Sequence, residues 1–275
     1  MDECLQVLAE RQKCPNDAIL VQQVRIQLIV QKVAQVKSNH GHTATVLPID
    51  LGSLYAQFKT LKTELLAHPD TDGMSWISLV CSYSHTTEAV LLYIYSAELE
   101  IALAPVSNFL RTKHLASQQR QSLRSGLESL KSWFDVFFSI PPAAYIGFSF
   151  TTFSQLFQCL HTLYWPTTLD DPNWDEDGVW KKANTLGILD HVLDNLDQVA
   201  ILAVLDSSGC SEKDPYTRAA RKFRSVRPWW AARLGSDIIS DSSLQSPVDS
   251  AVPEVLGAEF FDDDWLMELL LPPTY

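Results

Sequence analysis

The chain has 275 residues, 46% of them hydrophobic, and a formal net charge of −12. That is enough apolar surface for one large core or two smaller ones. Asp237, Asp241, Asp249, Glu254, Glu259, Asp262, Asp263, Asp264 and Glu268 follow Gly235 without a lysine or arginine, leaving about −3 for the rest of the chain. Neither part offers the basic footprint that nucleic-acid binding needs, so no direct nucleic-acid contact is expected. Cys4, Cys14, Cys81, Cys159 and Cys210 stand singly, with no C-x-x-C pair, a pattern that suits a reducing compartment and not a disulfide scaffold. Residues 1–5 lack the basic and apolar regions of a signal peptide. The apolar run from Ala89 to Val106 is interrupted by Glu98 and Glu100, so no membrane-spanning helix is expected.

In chain order, Asp17 is placed to cap a helix carrying Leu20, Val21, Val24, Leu28 and Val36, and residues 38–43 form a polar loop. Leu51, Leu54, Tyr55, Phe58, Leu61 and Leu65 mark the next helix, closed by turn residues at 68–73. Residues 76–103 read as one long helix or two joined ones. With Ala89, Val90, Leu92, Tyr93, Tyr95, Leu99 and Ile101 around its surface, this is the element expected to be most buried.

Leu123, Leu127, Leu130, Phe134, Phe137 and Phe138 recur at helical spacing, and Pro141-Pro142 then stops the helix. An apolar connector, residues 145–150, leads to a second amphipathic helix through Phe153, Leu156, Phe157, Leu160, Leu163 and Tyr164, ended by Trp165-Pro166. Two apolar faces joined by a proline break are expected to form an antiparallel hairpin at the centre of the core. Trp180, Ala183, Leu186, Leu189, Leu193, Leu196 and Ala200 mark a further helix. Pro215 opens the next, with Ala219, Phe223, Val226 and Trp230 inward and Arg218, Arg221, Lys222 and Arg224 outward. From Gly235 to Gly257 serine, proline and aspartate dominate, which reads as a flexible linker.

The run Lys131-Ser-Trp-Phe-Asp-Val-Phe-Phe-Ser-Ile-Pro-Pro-Ala-Ala-Tyr145, the later Phe153-Ser-Gln-Leu156 and Asp171-Pro-Asn-Trp-Asp175, in that order, resemble the C-terminal regulatory region of fungal binuclear zinc-cluster transcription factors. The resemblance runs from Asp2 to Leu270. It implies an all-helical domain of regulation and interaction. The six-cysteine zinc cluster of that family has no counterpart among the five cysteines.

Several residue groups carry candidate chemistry. Phe260, Phe261, Asp262, Asp263, Asp264, Trp265, Leu266 and Leu269 set bulky apolar side chains among carboxylates. Charge keeps such a segment solvated while its apolar residues remain available to a partner groove; alternatively, it packs back on its own domain. Trp133, Phe134, Phe137, Tyr145, Phe148, Phe150, His161, Trp165 and Trp174 either fill a core or line an apolar pocket for a hydrophobic small molecule. Asp190, Asp194 and Asp197 share a helix face, yet with Asp170, Asp171 and Asp175 they read as caps and solvated carboxylates, so no metal is expected. Gly147-Phe-Ser-Phe-Thr151 falls one residue short of a nucleophile elbow, and Ser149 reads as a helix-initiating or loop serine. His40 and His42 read as a solvent-exposed pair, and His191 as a hydrogen-bonded helix histidine.

The expected fold is all-α: a helical-bundle-like domain over 1–234, then an acidic linker and short amphipathic helix over 235–275. Two functions fit. One is a nuclear or cytoplasmic regulatory protein without its own DNA-binding domain, acting on a fungal biosynthetic gene cluster through a protein partner, either transcription machinery or a related regulator, with homodimerisation as an option. The other is the same fold turned into a small-molecule-binding protein or a cofactor-independent cyclase, which works by holding one conformer and needs neither nucleophile nor metal. No cofactor is expected in either case.

Overall fold

The computed structural model describes residues 2–11, 15–39, 47–66, 86–106, 116–164, 179–206 and 215–239. Among these residues the fold is all-α, with no strand. The chain divides into two compact units, Met1–Ile140 and Pro141–Tyr275.

The first unit holds α1 (Asp2–Arg11), α2 (Pro15–Asn39), α3 (Leu47–Leu66), α4 (Thr86–Leu103), a 3-10 turn at Ala104–Val106 and α5 (Ser117–Ser139). Pro15 opens α2, and Asp17 falls in its first turn instead of capping it. Proline has no N–H to leave unpaired and its backbone is preset for the first helical position, while a carboxylate two residues further in favours the positive end of the helix dipole. The buried stripe of α2 also differs from the expected one. Val21, Ile26, Ile29 and Val33 are buried, whereas Leu20 is exposed and Leu28 half-buried. The 26–29–33 spacing of three and four keeps β-branched residues on the core side, and leaves Leu28 on the flank with Arg25 and Lys32.

Ile26, Ile29 and Val33 share a core with Leu54, Phe58, Leu61 and Leu65 of α3 and Val90, Ile94, Ala97 and Ile101 of α4. On α4 the four core positions follow helical spacing, and Leu99 and Leu103 turn towards α5. The stretch Glu88–Val106 is long and apolar enough to cross a membrane by length and composition alone. In the structure it is α4 with the following 3-10 turn, and half of its residues are buried. Its two interrupting carboxylates are accounted for: Glu98 meets Lys62 of α3 at 2.8 Å and Glu100 meets Lys37 of α2 at 2.6 Å. The same Lys62 ammonium lies 5.3 Å from the Tyr95 ring centroid.

Gln119 starts α5 by accepting the Ala116 N–H at 2.9 Å and donating to the Pro105 carbonyl at 3.3 Å, so the helix entry is tied to the preceding 3-10 turn. Its inward face is Leu123, Gly126, Leu130, Trp133, Phe134 and Phe137. A Cβ on Gly126 would sit 3.1 Å from Leu103 Cδ2 and 3.5 Å from Leu99 Cδ1, so this glycine sets how closely α4 and α5 approach. The helix ends at Ser139, and Pro141-Pro142 blocks its continuation as expected. The unit boundary falls inside the expected hairpin. α5 packs on α4 within the first unit, and the second amphipathic helix finds its partners within the second.

The second unit holds a 3-10 helix at Pro142–Gly147, α6 (Phe150–Tyr164), α7 (Val179–Asp206) and α8 (Pro215–Ile239). Ser149 Oγ accepts the Thr152 N–H at 3.3 Å, so Ser149 initiates α6. Phe153 meets Tyr216 at 5.6 Å, Phe157 meets Phe223 at 5.2 Å and Tyr164 meets Trp230 at 4.9 Å between ring centroids. Residue numbers rise together on both helices, so α6 and α8 run parallel. α7 returns between them in sequence and pairs with α8 antiparallel, Asp190 with Arg227 and Asp197 with Arg224. The Arg224 guanidinium, expected on the outer face, is thus spent on α7. α8 continues through Ile239, so the first residues of the expected linker are helical; residues 240–275 lie outside the described residues.

Tyr145 fixes the 3-10 helix to this frame. Its hydroxyl accepts from Asn195 Nδ2 at 3.0 Å, and its carbonyl accepts from the Tyr216 hydroxyl, also at 3.0 Å. Its ring stacks on Phe148, whose ring meets Phe153, which in turn meets Tyr216. Burial pushes the Tyr145 phenol up to about 12, partly offset by the Asn195 hydrogen bond.

Three substitutions test these contacts. Gly126→Ala should change urea-unfolding stability by less than about 1 kcal/mol, because helix propensity gained offsets a tight contact with a flexible leucine end. Gly126→Val places a second branch against Leu103 and Leu99 and should cost about 1–3 kcal/mol. Tyr145→Phe strands the Asn195 amide donor and should cost about 1–3 kcal/mol. The fold favours the neutral phenol over its ordinary value of about 10, so wild-type stability is fully present below pH 10 and falls as pH rises towards 12. Thermal melts of Tyr145→Phe should lack that part of the alkaline decline.

Candidate functional site

The residues expected to line one apolar pocket are distributed between the two units. Trp133, Phe134 and Phe137 belong to the first, where they are buried on α5. Trp133 packs on Phe137 with centroids 5.0 Å apart and edge-on to Phe134 at 5.2 Å. The Trp133 Nε1–H has no hydrogen-bond partner among the described residues, so this indole serves as an apolar body at the cost of an unpaired donor.

In the second unit Tyr145 and Phe148 stack at 4.6 Å and are held by the contacts just described. Phe150 opens α6 with 51% of its surface exposed, so it is not part of an enclosed lining. His161 sits half-buried on α6, and burial holds its imidazole below the usual histidine range, which keeps it neutral at pH 7. Trp165 and Trp174 lie outside the described residues, as do Phe260, Phe261, Asp262, Asp263, Asp264, Trp265, Leu266 and Leu269.

Two of the α7 aspartates, Asp190 and Asp197, are held by arginines of α8. Arg227 holds Asp190 bidentately, with Nη2 to Oδ2 at 2.8 Å, and this hydrogen bond draws the Asp190 carboxyl below its ordinary range. Asp197 is engaged by Arg224. Among the described residues no group of three or more His, Cys, Asp or Glu side chains is placed to hold a metal ion.

Two concave surfaces among the described residues lie in the first unit, and neither is lined by the residues expected to form the pocket. A groove of about 730 Å³ runs over α2 between α1 and α3. Leu5, Leu28, Ile29 and Leu61 give it an apolar base, with Arg25 and Lys32 along α2 and Glu10 and Glu64 on the flanking helices. Gln6 donates to Glu10 along α1 at 2.9 Å. A smaller hollow of about 420 Å³ lies beside α3 and is lined by Tyr55, Phe58, Lys59, Lys62, Leu66 and Glu98. Sequence reasoning passed over both. The available signal was on α2, where Leu28 stands a full turn from Val24 yet off the 26–29–33 stripe, flanked by cations seven residues apart.

A protein-family model described as a C-terminal domain matches residues 142–275, which is the second unit from its 3-10 helix onward. The chain is 28% identical over 262 residues to transcription factor opdL of Penicillium oxalicum, covering 93% of this chain and 43% of that protein. It is 28% identical over 203 residues to a protein named transcription factor from Aspergillus terreus, covering 72% of this chain and 34% of that protein. The chain thus spans less than half the length of these curated relatives. No solved structure matches. The chain is thus similar, over most of its length, to parts of fungal transcription factors.

Proposed function

We propose that the chain is a transcription-factor-like regulatory protein that acts through a protein partner, with residues 260–271 as the segment that engages it. The observation that carries this reading is the similarity to fungal transcription factors along 93% of the chain. The charge distribution supports it: nine of the carboxylates follow Gly235 with no cation among them, and Phe261, Trp265, Leu266 and Leu269 are interspersed with four of those carboxylates. Acidic residues keep such a segment in water, and the large apolar side chains supply the contact area in a groove.

In this reading the protein makes no sequence-specific DNA contact of its own. It works in the nucleus, on genes of a biosynthetic cluster, alongside the transcription machinery or a related regulator. One feature of the described residues favours it over a small-molecule role, and a second weighs against DNA contact. Of the rings expected to line a pocket, Trp133 packs on Phe137 in the first unit and Tyr145 on Phe148 in the second. The α8 arginines Arg224 and Arg227 are paired with α7 carboxylates, which reduces the basic face available to a phosphate backbone.

Residues 257–275 fused to an unrelated DNA-binding domain should activate a reporter. Trp265→Ala should remove most of that signal, while Asp262→Asn alone should remove little, because one carboxylate among several contributes solubility more than contact area. An inert fusion overturns the assignment of the segment. A mobility-shift assay of the full chain at physiological salt should show no tight, sequence-dependent complex. Deletion of the gene should alter transcript levels of neighbouring genes; steady transcripts with one accumulating metabolite would instead point to an enzyme.

A further inference from the structure

We draw no further inference here: the strongest candidate, the groove over α2 between α1 and α3 with its apolar base of Leu5, Leu28, Ile29 and Leu61, carries nothing, because Arg25 and Lys32 are matched by Glu10 and Glu64 in the same lining and nothing in the structure shows what covers it.

Discussion

α4 imposes the main constraint on the first unit. Val90, Ile94, Ala97 and Ile101 need cover on one side, and Leu92, Leu99 and Leu103 on another. A helix apolar on so much of its circumference is stable in water only when neighbours enclose it. α2 and α3 supply one wall and α5 the other. Removing a buried leucine or isoleucine from water contributes about 1.5–3 kcal/mol, so this enclosure outweighs any single polar contact in the unit. Glu98 and Glu100 are the exception that the enclosure must accommodate. Each is met by a lysine from a covering helix, and the pairing sites are only partly exposed. The lysines therefore fix where α2 and α3 lie along α4, while the apolar contacts supply most of the stabilisation.

The second unit solves a different problem. Its helices α6 and α8 run parallel and are held by rings at three levels, and the 3-10 helix before α6 is held by two hydrogen bonds to one residue, Tyr145. A 3-10 turn has poorer internal hydrogen-bond geometry than an α-helix and depends more on outside contacts. Here those contacts come from α7 through Asn195 and from α8 through Tyr216. The unit is thus closed by polar groups at one end and by the stacked Tyr164 and Trp230 rings further along. Arg224 and Arg227 add electrostatic pairing between α7 and α8 at partly exposed positions, where salt screening keeps each contribution small.

Much of this was legible in the sequence, and the exceptions have physical causes. The all-α fold followed from helical periodicity, and Pro141-Pro142 ended its helix as proline must. The inward positions Ala219, Phe223, Val226 and Trp230 of α8 are all buried. On α2, by contrast, valine, leucine and isoleucine occur on more than one flank, so periodicity alone did not decide which flank was buried; contact with α3 and α4 did. The hairpin expectation rested on two apolar faces separated by a short break, which says that each face needs a partner but not which one. The aromatic cluster was ambiguous for the same reason, since rings that fill a core and rings that line a pocket have the same composition. The pairing of α7 aspartates with α8 arginines could not be read from either helix by itself. It depends on the antiparallel register of the two.

The ring contacts between α6 and α8 have a consequence for how this region can vary in length. Tyr216, Phe223 and Trp230 are spaced by sevens, close to two helical turns, so all three face α6. A single residue inserted between Tyr216 and Trp230 would rotate everything beyond it by about 100° and carry Trp230 away from Tyr164. An insertion of seven residues would return Trp230 to within about 20° of its present face, though about 10 Å further along the axis. Exchange of one aromatic ring for another keeps the facing geometry. Substitution is therefore the route of change open to α8 at these positions, and a gain or loss of one residue is closed to it unless a bulge absorbs the shift.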